Sequence, residues 1–159
     1  AGAAGGAGYP NLNDDDWLWG GDLKAIEDTI AHGTRQPGND RTRTSEMPAF
    51  GGGVLTAEQM GQVADHVLSL SGKARANAAG AELFSANCAV CHGPAGEGNR
   101  TLGAPDLADA IWLYGGKKTD VIRQVASPRH GVMPAWGGRL DPATIRMLAA
   151  YVHSLGGGK

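Results

Sequence analysis

An all-α fold, built as two tandem lobes with glycine- and proline-rich loops, is what this sequence predicts. The first reason is an internal repeat, the feature whose neglect most easily miscasts a fold. The run Pro10-Asn11-Leu12-Asn13-Asp14-Asp15-Asp16-Trp17-Leu18-Trp19-Gly20-Gly21 lines up with Pro105-Asp106-Leu107-Ala108-Asp109-Ala110-Ile111-Trp112-Leu113-Tyr114-Gly115-Gly116. Met47-Pro48-Ala49-Phe50-Gly51-Gly52 then matches Met133-Pro134-Ala135-Trp136-Gly137-Gly138, and residues 67–72 match 152–157. Three blocks in one order give two copies of one domain, 1–72 and 73–159, the first with about nine extra residues near Pro37 to Thr44. The second reason is apolar residues at helical spacing behind capping residues, and the third is the lack of a strand hairpin signal.

The helices follow in order. Asp22 caps a helix whose Leu23, Ile26 and Ile30 share a face, and Gly33 ends it. Thr56 with Gln59 makes a capping box, with Met60, Val63, Val67 and Leu70 on one stripe behind it. Lys73 to Ala79 connects to a helix in which Gly80 and Phe84 share a face just ahead of Cys88. A residue as small as Gly80 invites close crossing by another helix, expected at Tyr151 of the last one. That last helix starts at Asp141 with Pro142 at its first position, and Ile145, Leu148, Ala149, Val152 and Leu155 form its stripe.

Composition narrows the function. With 26 glycines and 8 prolines in 159 residues and few aromatics, the apolar core is thin unless a bound group adds to it. No apolar stretch approaches the 18 or so residues of a membrane span. Residues 1–8 are small residues without the basic start of a signal peptide. The net charge of −2 divides unevenly, −6 over residues 1–72 and +4 over 73–159. Such a split points to docking surfaces for proteins, not to nucleic acid, for which basic residues cluster with stacking aromatics.

The chemistry is carried by Cys88-Ala89-Val90-Cys91-His92, a C-x-x-C-H run that reads as a haem c attachment site. Each thiol can form a thioether with one haem vinyl group, and the adjacent imidazole then meets the iron. Zinc would need two further thiol or imidazole ligands, and the chain has only these two cysteines. A redox dithiol would be expected near a βαβ pattern, which the sequence lacks.

Opposite His92, a methionine is the usual second ligand in electron carriers. Met133 is the first choice, 41 residues beyond His92 in a loop flanked by glycine and proline, and Met47 is its equivalent in the first lobe. Met147 and Met60 lie on helices and read as packing or surface residues. His130 is a minor competitor, and Arg129 pairs with a haem propionate or with solvent. His32, His66 and His153 read as solvated or capping, and Trp112, Tyr114 and Trp136 as core and haem wall. Copying the repeat's spacing back from Pro10 places the first lobe's own attachment motif just before Ala1, so that lobe reads as cut at its haem loop, the alternative being a degenerate lobe that never bound haem.

The W-L-x-G-G blocks in both copies, each followed by M-P-A-[FW]-G-G, resemble the dihaem subunit III (FixP/CcoP type) of cbb3-type cytochrome c oxidases. The resemblance covers nearly the whole chain and departs from the family in lacking the membrane anchor and the first C-x-x-C-H. It implies two class I cytochrome c lobes. Haem c would be attached at Cys88 and Cys91, with a second in the first lobe if the upstream motif is present. It also implies a non-catalytic module on the periplasmic side of a bacterial inner membrane, anchored upstream in the parent protein. That module would take single electrons from a donor c-type cytochrome toward the catalytic subunit, with the other oxidase subunits as partners. The alternatives are a soluble dihaem carrier of the cytochrome c4 sort and a dihaem peroxidase.

Overall fold

The structure, a computed structural model, describes residues 2–109 and 111–156. Gly157, which closes the last repeated block, lies outside them. The described residues form six helices, with isolated bridges and no strand among them. These are α1 (Leu23–His32), α2 (Ala57–Leu70), α3 (Ala78–Asn87), the single turn α4 (Ala89–His92), α5 (Lys118–Ala126) and α6 (Pro142–Ser154).

The caps are those the sequence predicts. Asp22 accepts from the Ala25 amide at 2.9 Å, Thr56 and Gln59 close a reciprocal capping box, and Asp141 accepts from Ala143 and Thr144 ahead of Pro142. Each cap satisfies amides that have no partner inside the helix. Ile26, Ile30, Val63, Val67, Phe84, Ile145 and Ala149 are buried as their spacing requires, whereas Leu23 is 51% exposed. Leu23 sits at the first position of α1, where the chain has only begun to turn toward the core. Helix α5 was not among the expected elements. Its apolar pair Val121 and Val125 stands at the repeat positions of Ile26 and Ile30, so the repeat already held the signal.

The chain divides into two compact units, but not at 72/73. One unit runs up to Glu46 and resumes at His130, and the other is the continuous stretch Met47–Arg129. In the first, α1 packs on α6 around Ile26, Ile30, Ile145 and Ala149, with Trp17, Met133 and Trp136 at the edge. In the second, α2 packs on both α3 and α5 around Val63, Val67, Phe84, Cys88, Val121 and Val125.

The lobes expected at 1–72 and 73–159 have therefore exchanged their C-terminal halves. The physical reason is that the two methionine loops present the same groups to the same kind of helix end. The amides of Trp136 and Gly137 donate to the carbonyls of Ile30 and Ala31 in the last turn of α1 (3.1 and 2.9 Å). Those of Phe50 and Gly51 donate to Val125 and Ala126 in the last turn of α5, both at 3.1 Å. Both sets satisfy carbonyls left open at a helix C-terminus. Alignment shows which blocks are alike, not which copy each one packs against.

The helix crossing moves accordingly. Gly80 faces α2, not Tyr151 of α6: a Cβ at Gly80 would overlap the Gln62 carbonyl and press on His66. His66, expected to be solvated or capping, instead lies against Phe84, with ring centroids 5.1 Å apart. Tyr151 is 60% exposed.

Candidate haem-attachment site

Helix α3 delivers the motif. Its last turn holds Phe84, fully buried, and the Cys88 amide donates back to the Phe84 carbonyl at 2.8 Å. The chain then makes the single turn α4, with Cys91 and His92 amides both donating to Cys88 O (3.1 and 3.0 Å). One helical turn is what brings two cysteines three residues apart to the same side, with the next residue beside them. Both thiols are free. Cys88 is buried within the α2–α3–α5 core, and Cys91 is half-buried. Burial, and then the neighbouring Cys91, raises the Cys88 thiol to about 11.

His92 is 8% exposed, and its Nδ1 donates to the carbonyl oxygen of Pro105 at 3.0 Å. A carbonyl can only accept, so this bond places the ring proton on Nδ1 and leaves the Nε2 lone pair for a metal. Burial lowers the pKa of His92, favouring the neutral ring that ligation requires, while the Pro105 bond acts in the opposite direction.

The loop that brings Pro105 under the imidazole is held by its own bonds. Gly98 donates to His92 O at 2.8 Å, and Leu107 donates to Gly96 O at 2.7 Å. Gly98 has φ +77°, and a Cβ there would sit 2.7 Å from the Asp106 amide and 2.8 Å from Ala104 O. Only glycine allows that approach. Pro105 was noticed in the sequence as part of a repeated block. Its role as the histidine's acceptor is visible only once the loop is folded.

The residues fit a haem on a second observation. The indole Nε1 of Trp112 is buried and has no hydrogen-bond partner in the protein. An unpaired buried donor costs about 1–3 kcal/mol, so it marks a place where an acceptor from a bound group belongs. A haem carries two carboxylates that can serve. The indole Nε1 of Trp17, at the same repeat position in the other unit, is buried and unpaired in the same way, although the Trp17 side chain is only partly buried. Among the described residues no three His, Cys, Asp or Glu side chains gather as a bare metal ion would need.

The expected ligand residues do not all share one unit. Cys88, Cys91, His92 and Met47 lie in the unit 47–129, and Met47 packs against the core that contains Cys88. Met133 lies in the other unit, its backbone paired in both directions with Thr34 at 3.0 Å. Met133, expected to accompany His92, is thus placed in a different compact unit from it. His130 also falls outside the His92 unit. Arg129 is within it, stacked over Tyr114 at 4.5 Å and donating to Tyr114 O at 3.3 Å. Met147 is 65% exposed on α6.

A helical unit that presents two free thiols and an oriented imidazole on one turn, with a buried, unpaired indole nitrogen packed against the same core, is that of a c-type cytochrome. Sequence comparison narrows the class. The family model for cytochrome c oxidase, cbb3-type, subunit III matches residues 75–152. The chain is 53% identical, over its whole length, to the cbb3-type cytochrome c oxidase subunit CcoP of Cereibacter sphaeroides. It is 54% identical over its whole length to the subunit FixP of Sinorhizobium medicae, and 52% to that of Bradyrhizobium diazoefficiens. The chain belongs to the cbb3-type oxidase subunit III family. It spans 56% of the length of each of these relatives.

Proposed function

We propose that the chain is a haem c electron-transfer module of a cbb3-type oxidase, not itself catalytic. It would receive single electrons from a donor c-type cytochrome on the periplasmic side and pass them toward the oxygen-reducing subunit. The observation that carries this reading is His92, buried beside Cys88 and Cys91, with its proton fixed on Nδ1 by Pro105. Cys88 and Cys91 would hold the haem by thioether bonds, and His92 Nε2 would bind the iron. Bound there, haem c supplies a one-electron ferric–ferrous couple. The protein's part is to fix the imidazole, to exclude water with Phe84, Val121 and Val125, and to offer the Trp112 indole to a propionate.

The unit built on α1 and α6 supports a second haem lobe. Met147, Leu148 and Tyr151 of α6 are 65, 37 and 60% exposed. By the repeat they stand where Gln62, Val63 and His66 of α2 meet α3. An attachment helix of the α3 kind, carried by a polypeptide of the relatives' length, fits that face. Anchoring of that longer polypeptide, and its assembly with the other oxidase subunits, complete the proposal. No described helix is long and apolar enough to cross a membrane.

Mass spectrometry with a reduced absorption spectrum tests the reading. Expected are one covalent haem on this chain, a low-spin spectrum, and reduction by a c-type cytochrome without oxygen consumption. A matured chain without covalent haem, or one turning over peroxide, rejects it.

A further inference from the structure

We propose that the extra segment of the first copy is a clasp on the Met133 loop, and that Arg35, at its head, is a positioning residue for that methionine. The role of Met133 as an iron ligand rests on the haem reading above. The clasp rests on bonds of its own.

The Arg35 guanidinium joins two stretches far apart in sequence. Its Nε donates to Gly131 O at 2.6 Å, and its Nη1 donates to Ser45 O at 3.0 Å. Gly131 stands two residues before Met133, just after the chain re-enters this unit at His130. Ser45 stands just before the chain leaves the unit at Glu46. One side chain thus holds the outgoing and the returning backbone together. A planar fork of N–H donors meets two carbonyls at once, which a point-like ammonium on a flexible stem does poorly.

The backbone of Arg35 is at φ +54°, in the left-handed region that a Cβ disfavours. Such a conformation persists where its surroundings fix it. The Arg35 amide donates to Arg43 O at 2.8 Å, and the Arg43 amide donates to Gly33 O at 3.2 Å. Arg43 Nε donates to Thr29 Oγ1 of α1 at 2.9 Å, and the Asn39 side chain donates to His32 O at 2.8 Å. Arg43 and Asn39 are sufficient to finish α1. The bonds of Arg35 go instead to the two crossing stretches.

Beside it, Thr34 and Met133 exchange both backbone bonds at 3.0 Å, and a Cβ at Gly33 would stand 2.3 Å from Met133 O. The Met133 loop therefore lies directly on the end of α1. By the repeat, Pro128 stands at the place of Gly33, and the second copy lacks the extra residues of the segment.

Amide exchange in the haem-bearing chain, in its ferrous form, reads the clasp directly. Arg35→Lys keeps the charge and loses the fork, and Arg35→Gly also removes the penalty on the left-handed backbone. In both variants the Met133 amide is expected to exchange about tenfold faster, while Ile30 of α1 and Ala149 of α6 keep their rates. An unchanged Met133 rate overturns the proposal. Equal acceleration at all three amides, the mark of a residue that only stabilises the fold, overturns it too.

A haem-bearing polypeptide of the relatives' length supplies the second arm. Arg35→Lys is expected to shift or split the ferrous ε-methyl resonance that Met133→Leu removes, and to leave any other methionine–iron signal in place. An identical spectrum overturns the positioning role. Absence of every methionine–iron signal from the unsubstituted polypeptide would instead refute the haem reading.

Discussion

His92 illustrates how little of a site is decided by its motif alone. The five residues 88–92 place thiols and imidazole on one turn, but the Pro105 carbonyl, 13 residues on, selects which nitrogen is free. Trp112 is the complementary case, a side chain whose bulk is accounted for by the core and whose indole nitrogen is not. If that nitrogen donates to a haem carboxylate, Trp112→Phe removes a charge-assisted bond worth roughly 1.5–3 kcal/mol in addition to some packing. Denaturant melts of the haem-bearing chain should show a loss of at least about 2 kcal/mol. A cost near zero would mean that the nitrogen stays unpaired when haem is bound, because removing an orphaned donor relieves its desolvation.

Among the elements, the α2–α3 crossing concentrates the risk. Gly80→Ala would gain about 1 kcal/mol of helix propensity. The added methyl meets a backbone carbonyl of α2, which no rotamer change can move. Overpacking of this kind costs about 1–3 kcal/mol, so a net fall in the melting temperature is expected. A rise would show that the helices can separate at no cost. His66 lies in the same crossing, and burial lowers its pKa below 6.5. The folded state therefore disfavours its charged form. The stability tied to it is complete above pH 6.5 and is lost as pH falls toward the folded pKa. His66→Phe should flatten that acid-side decline in melts taken between pH 7.5 and pH 5, and an unaltered slope would assign the decline to other groups. These helices were legible because caps and apolar stripes are local: Asp22, Thr56 and Asp141 announce them within four residues. Helix α5 was readable too, by copying α1 across the repeat. The partner of Gly80 was not, since the copies of the crossing helix, α2 and α6, share the pattern that would receive it.

At the scale of the whole chain the exchange changes what the charges mean. Divided at 72/73, the halves carry −6 and +4. Divided as the chain folds, the unit ending at Glu46 and resuming at His130 has nine acidic and seven basic side chains, and the unit 47–129 has seven of each. The broad asymmetry was a property of the sequence order and not of the folded units. What survives is local: Asp14, Asp15, Asp16, Asp22, Glu27 and Asp28 follow one another around the start of α1, with Asp28 paired to Lys24. A local acidic cluster can still steer a basic electron donor, because such steering acts on association rate within a screening length of about 10 Å. Asp22 must be left intact as the cap of α1. Asp14→Asn keeps the oxygen that accepts from Asp16, so a triple change of Asp14→Asn, Asp15→Asn and Glu27→Gln removes charge without removing that contact. Stopped-flow reduction by a basic c-type cytochrome should then slow several-fold at low ionic strength and converge with the unsubstituted rate at high salt. If rate and salt slope are both unchanged, donors meet this protein through a different surface, and the acidic entry to α1 serves solvation alone.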